Sequence, residues 1–125
     1  MKFLRKLFEP SYSRQADFHS LDATPANYKF NCADCSNAIL FPFTETITEC
    51  WRWEEEFDDQ TLSAIKMYFD MNIVGKSPDG GWPSVFEVSC NACQSRYLIY
   101  SSVKETSNSV FYVTVQSIAE ISPTE

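Results

Sequence analysis

Apolar and polar positions alternate along this chain in two different rhythms. Tyr28 and Phe30 flank Lys29 and run into Cys32, the period-two pattern of a short strand entering a turn. Residues 38–43 form an apolar run in which Pro42 restricts the strand to a sheet edge. Residues 46–53 are rich in Thr, Ile and Trp, so β propensity predicts that they pair back as a hairpin. The rhythm then changes. Leu62, Ile65, Tyr68 and Phe69 fall at i, i+3, i+6 and i+7, one face of a helix over about 59–71. Asp58 or Asp59 supplies the N-cap, and the acids before it favour the positive end of the helix dipole. Residues 77–81, Ser-Pro-Asp-Gly-Gly, read as a loop that leads to Trp82 and Pro83. Period two returns in residues 85–89, 96–103 and 110–118, with the polar run 104–109 as the turn between the last two. Near the start, Phe3, Leu4, Leu7 and Phe8 have helical spacing, which predicts a short helix before Pro10.

These elements predict an α+β fold, mainly antiparallel β, with an inserted hairpin and one principal helix. Residues 1–27, broken by Pro10 and Pro25, read as an N-terminal extension. Residues 28–121 read as a single domain, with an insertion spanning 37–84. At 125 residues, with 44% hydrophobic and 15% aromatic side chains, the chain can bury one core.

The cysteines change the picture most. Cys32-Ala-Asp-Cys35 and Cys90-Asn-Ala-Cys93 are two C-x2-C pairs, and each follows a strand-like run. A C-x2-C turn presents two thiolates from one tight bend, and two such turns complete a tetrahedral shell. Cys32, Cys35, Cys90 and Cys93 are therefore expected to bind one structural Zn2+. Four thiolates close the shell and leave no open position for a substrate or activated water, so the site predicts a staple and no catalysis. The arrangement resembles the zinc-ribbon family, with rubredoxin-like knuckles on β-hairpins. The resemblance covers residues 28–36 and 85–118, and it implies the same four ligands. Two features depart from that family: Ser36 and Gln94 stand where glycine often follows the second cysteine, and a long segment separates the pairs. Cys50, without a close partner in sequence, reads as a buried structural thiol, and His19 as a surface residue.

Charge then narrows the function. The formal net charge is −7, which disfavours phosphate backbones and makes nucleic acid an unlikely partner. Most of that charge lies between residues 44 and 59, where Glu45, Glu49, Glu54, Glu55, Glu56, Asp58 and Asp59 face one base, Arg52. Trp51, Trp53 and Phe57 interleave with these acids, a composition suited to gripping a basic protein. Trp82 is a further candidate contact. No apolar run is long enough for a membrane span or a secretory signal, so a cytoplasmic location is expected. No Gly-rich phosphate loop, HExxH or Ser-His-Asp pattern is present. The resulting expectation is a zinc-stapled protein-binding module, with no enzymatic activity, whose acidic and aromatic face binds a basic protein partner. An immunity protein or inhibitor that neutralises a toxin is the concrete form. The alternative is a nucleic-acid-associated zinc ribbon of transcription or translation.

Overall fold

The computed structural model describes residues 1–7, 15–19, 27–50, 52–71, 81–107 and 110–122. Seven strands, two α-helices and one 3-10 turn follow in the order β1 (Lys2–Lys6), β2 (Gln15–His19), β3 (Asn27–Asn31), β4 (Ala38–Pro42), α1 (Phe43–Cys50), the 3-10 turn Trp53–Glu56, α2 (Asp59–Tyr68), β5 (Trp82–Ser89), β6 (Arg96–Ser107) and β7 (Val110–Ser122). The fold is α+β with antiparallel sheets, as the two rhythms of the sequence predict.

The main sheet runs β1-β7-β6-β5. β6 occupies one edge of β7 along nearly its full length, from Val110 to Ile121. β1 and β2 therefore share the other edge, β1 against Ala119–Ser122 and β2 against Val110–Thr114. β3 and β4 form a separate two-stranded sheet.

Side chains on the two faces of β6 alternate strictly, and each face builds its own core. Tyr97, Ile99 and Val103 join Phe86, Val113, Val115 and Ile118 beneath Tyr28, Phe30, Ile39, Phe41 and Phe43. Leu98 and Tyr100 join Val85, Ala119 and Ile121 beneath Trp53, Ile65 and Phe69. The β3–β4 hairpin and α1 thus cover one face of the main sheet, and the 3-10 turn with α2 covers the other. Packed aromatic edges tie the first layer together: Phe30 meets Tyr97 at 5.3 Å and Phe41 meets Phe86 at 5.1 Å between ring centroids.

α2 begins at Asp58, whose carboxylate accepts the Thr61 N–H at 2.7 Å. It ends in a Schellman-type closure. Asp70 takes a left-handed φ of 55°, while Met71 N–H reaches Lys66 O at 2.9 Å and Asp70 N–H reaches Met67 O at 3.2 Å.

Three expectations are corrected. The hairpin predicted from residues 46–53 does not form. Phe43, Thr46, Ile47 and Cys50 lie at i, i+3, i+4 and i+7, and this face of α1 packs on the first core. The 3.6 period outweighs the β propensity of Thr and Ile, because burying one face of a helix matters more than intrinsic preference. The buried Thr46 hydroxyl donates to Phe43 O, so it leaves no unpaired group in the core. Residues 2–6 are strand, not helix. An i, i+4 spacing is even and fits a strand as well as a helix, and the free edge of β7 supplies the hydrogen bonds that a five-residue helix would lack. A bulge between Phe3 and Arg5 then resets the alternation, so Phe3 packs on the second core and Leu7 on the first. β6 continues to Ser107, so residues 104–107 of the expected turn are strand, and 108–109 lie outside the described residues.

Ile65 is fully buried between α2 and the sheet. Ile65→Ala should lower unfolding stability by about 2–5 kcal/mol, read as a shift in the urea midpoint at an unchanged slope.

Candidate metal centre

Both C-x2-C segments are the turns of antiparallel hairpins. One closes β3–β4 after the Asn31–Ala38 pair, and the other closes β5–β6 after the Ser89–Arg96 pair. Their backbones match. Cys32 N–H donates to Asn37 O at 2.8 Å, and Cys90 N–H donates to Ser95 O at 2.8 Å. Ser36 N–H donates to Cys32 O at 2.9 Å, and Gln94 N–H donates to Cys90 O at 3.0 Å. Ser36 and Gln94 both adopt left-handed backbone, with φ of 67° and 68°. This is where glycine often follows the second cysteine, so the turn imposes the conformation even on residues that carry a Cβ.

The two turns face each other. Cys32 Sγ lies 3.5 Å from Cys93 Sγ, and Cys35 Sγ lies 3.5 Å from Cys90 Sγ. All four sulfurs fall within 4.8 Å of one another. A tetrahedral centre with metal–sulfur bonds of about 2.3 Å spaces its sulfurs about 3.8 Å apart, so the cluster is of the size that could hold one metal ion. Cys32 and Cys90 are buried, whereas Cys35 and Cys93 are exposed. The centre sits at the protein surface with two sulfurs turned inward.

The surroundings favour thiolate at Cys32. Burial alone would raise the Cys32 thiol. The Tyr97 hydroxyl at 3.2 Å and the backbone N–H groups of Asp34 and Cys35 outweigh it and lower the pKa to about 6. Tyr97 O also accepts the Ala33 N–H at 2.9 Å, so its ring position is fixed from both sides. Burial and the Cys32 sulfur together hold the Tyr97 hydroxyl protonated, which keeps it a donor. Cys35 shows the opposite behaviour. The Asn37 N–H favours its thiolate, but burial and the neighbouring Cys90, Cys93 and Cys32 push it up to about 12. Four adjacent thiols cannot all ionise unaided. A dication removes that repulsion and displaces the protons.

A second network braces the knuckles from outside. Arg5 donates through Nη2 to Asp34 Oδ1 at 2.7 Å and through Nε to Glu120 Oε1 at 2.6 Å. The Ser95 hydroxyl donates to Asp34 Oδ2 and lies 3.1 Å from Cys93 Sγ. One arginine on β1 therefore links the first knuckle to β7, and Asp34 links the first knuckle to the second. The two C-x2-C pairs point to the cluster from sequence, but the roles of Arg5, Tyr97 and Glu120 do not follow from sequence. Arg5 and Glu120 become visible as partners only in the β1–β7 register, where they are paired.

The structure separates the residues expected at a partner face. Glu54, Glu55, Glu56, Asp58 and Asp59 are exposed on the 3-10 turn and the start of α2. Trp53 is 2% exposed, so it is an interior group beneath the acids and not a surface contact, whereas Phe57 is half-buried, with its ring packed against the second core. Trp82 is half exposed at the start of β5. Trp51 lies outside the described residues. Glu49 is buried and meets Arg52 at 3.5 Å. Cys50 is half-buried against the first core, with its thiol pushed up to about 11 by burial. Among the described residues, no helix is long and apolar enough to cross a membrane.

Compared with protein-family models, with curated proteins and with solved structures, the chain matches none.

Purified protein should carry about one metal ion per chain by elemental analysis, and Cys32→Ser or Cys90→Ser should lose it together with the cooperative unfolding transition. A full metal complement in either variant would contradict the ligand assignment. Gln94→Gly should stabilise the protein by about 1 kcal/mol in chemical denaturation, because it relieves a Cβ in a left-handed turn.

Proposed function

We propose that the four cysteines hold one structural zinc ion, and that the chain is a protein-binding module whose acidic turn docks a basic protein partner. The observation that carries this reading is the stretch 54–59. Five carboxylates project to solvent from one short turn, and Trp53 is buried directly beneath it. Lys66 offsets Glu54 at 3.0 Å, and Arg52 lies 3.7 Å from Glu56. Glu55 and Asp59 have no cationic partner among the described residues, which leaves the turn strongly negative. Beside it lies a cleft of about 280 Å³ lined by Glu56, Phe57, Asp58 and Ile121, with Arg96 also in its wall, paired with Glu87. Carboxylates beside apolar side chains complement the stem and charged head of Lys or Arg.

Zinc is the metal favoured by four thiolates in a closed tetrahedron. Such a shell stabilises the fold and offers no open coordination position, which supports a binding role over a catalytic one. A basic toxin or nuclease, neutralised by a protein that covers its active site, is the partner type with the matching charge. The net charge of −7 argues against a duplex or single-stranded nucleic acid as the ligand.

The test compares wild type with the triple reversal Glu54→Lys, Glu55→Lys, Asp59→Lys, which spares the Asp58 cap. Wild type should retain a basic protein at low salt, with affinity falling as salt rises. The triple variant should lose that retention by at least about tenfold while keeping its metal and its melting temperature. Retention that is indifferent to charge reversal, or binding of DNA or RNA at low salt, would refute the reading.

A further inference from the structure

We propose that Tyr97 is a positioning residue of the metal centre: a side chain of the second hairpin that holds the ligand Cys32 of the first, so that both knuckles close on a metal as one unit. This inference rests on the reading that the four cysteines hold a metal.

The two hairpins match around their turns, and the match exposes one difference. Ile39 stands one residue past the closing pair of the first turn, Asn31–Ala38. Tyr97 stands one residue past the closing pair of the second, Ser89–Arg96. Both are buried in the first core. The Ile39 side chain has no polar atom. The Tyr97 hydroxyl is directed at the other hairpin, 3.2 Å from Cys32 Sγ and 2.9 Å from Ala33 N. Its ring meets Phe30 of β3 edge-on at 5.3 Å. One side chain on β6 therefore touches three residues of the first hairpin, one on its strand and two in its turn. These contacts cross between hairpins that share no backbone ladder.

The direction of each hydrogen bond follows from the chemistry. Ala33 N–H can only donate, so the Tyr97 oxygen accepts it. A metal-bound thiolate carries no proton, so towards Cys32 the hydroxyl donates. Ser95 differs. Its hydroxyl lies 3.1 Å from Cys93 Sγ but gives its proton to Asp34 Oδ2. Tyr97 is fully buried, so solvent does not compete for its bond to Cys32. A donor held in this way fixes the orientation of the sulfur before a metal arrives. Loss of such a partner weakens metal binding by about 10–100-fold.

The zinc affinity of the full-length protein is measured by competition with a chromogenic chelator. Tyr97→Phe keeps the ring and removes the hydroxyl, and it should bind zinc about tenfold more weakly than wild type. Loaded with cobalt(II), the same variant should shift the sulfur-to-metal charge-transfer band, which reports the ligand sulfurs directly. Ile39→Val trims the same core at the matching position. It should lower the urea midpoint and leave that band unmoved. In wild type loaded with NMR-active cadmium, the Tyr97 hydroxyl proton should exchange slowly and couple to the metal through the Cys32 sulfur, a reading that needs no variant to fold. Wild type that binds no metal would overturn the metal reading and this proposal together. With metal bound to wild type, three results would each overturn the proposal alone. They are unchanged affinity and band in Tyr97→Phe, an equal band shift in Ile39→Val, and no coupling between cadmium and the Tyr97 hydroxyl.

Discussion

The constraint on which the rest depends is the meeting of four sulfurs from two matching turns. The β3–β4 hairpin has no backbone ladder to the main sheet. An isolated two-stranded hairpin is marginal in water. Here it is held by the aromatic layer of Tyr28, Phe30 and Phe41 against Phe86 and Tyr97, and by the sulfur cluster at its turn. The two attachments act at different points along the hairpin, one on its face and one at its tip. Together they fix both its position and its angle, which neither does alone. The electrostatics of the cluster make the second attachment conditional. Without a cation, Cys35 is held protonated by its crowded neighbours even though Cys32 ionises; a bound cation would turn the same crowding into ligation.

The surrounding groups can be understood from that condition. Tyr97 belongs to the first core through its ring and to the cluster through its hydroxyl, so packing and ligand orientation are one event. Arg5 does the same from the N-terminal side, where β1 register sets its reach to both Asp34 and Glu120. Glu120 is buried, and burial raises its pKa ahead of the effect of Asp34. Its ion pair with Arg5 offsets the cost of that burial. The first residues of the chain are thus mechanically connected to the knuckles through β7.

Much of this was legible in the sequence because it is local. C-x2-C spacing fixes a turn within four residues, and Asp58 caps α2 within three. The alternation of Tyr97, Ile99 and Val103 against Leu98 and Tyr100 follows from pleating alone. What was not legible depends on partners distant in the chain. Residues 2–6 become a strand because β7 has an open edge for them. Residues 46–53 read as a hairpin because Thr and Ile carry β propensity, although Phe43, Thr46, Ile47 and Cys50 have the helical spacing that α1 adopts. Trp53 was read as an anchor for a partner because it sits among acids. Its neighbours in sequence are exposed, and within the turn Trp53–Glu56 the indole is the group that packs inward, among Ile65, Phe69 and Phe57 of the second core.

The burial of Trp53 bears directly on the proposed docking role. A flexible acidic loop would lose conformational freedom on binding, and that loss would subtract from its affinity. With the indole buried and Asp58 fixed as the cap of α2, the backbone of residues 53–59 is ordered before any partner arrives. The carboxylates then meet a basic surface with only side-chain freedom left to lose. A tryptophan removed from the interface can therefore strengthen it, since it holds the charges in place. A metal held by the four cysteines would contribute to the same end by a different route, fixing the β-hairpins of a chain whose proposed docking surface lies elsewhere.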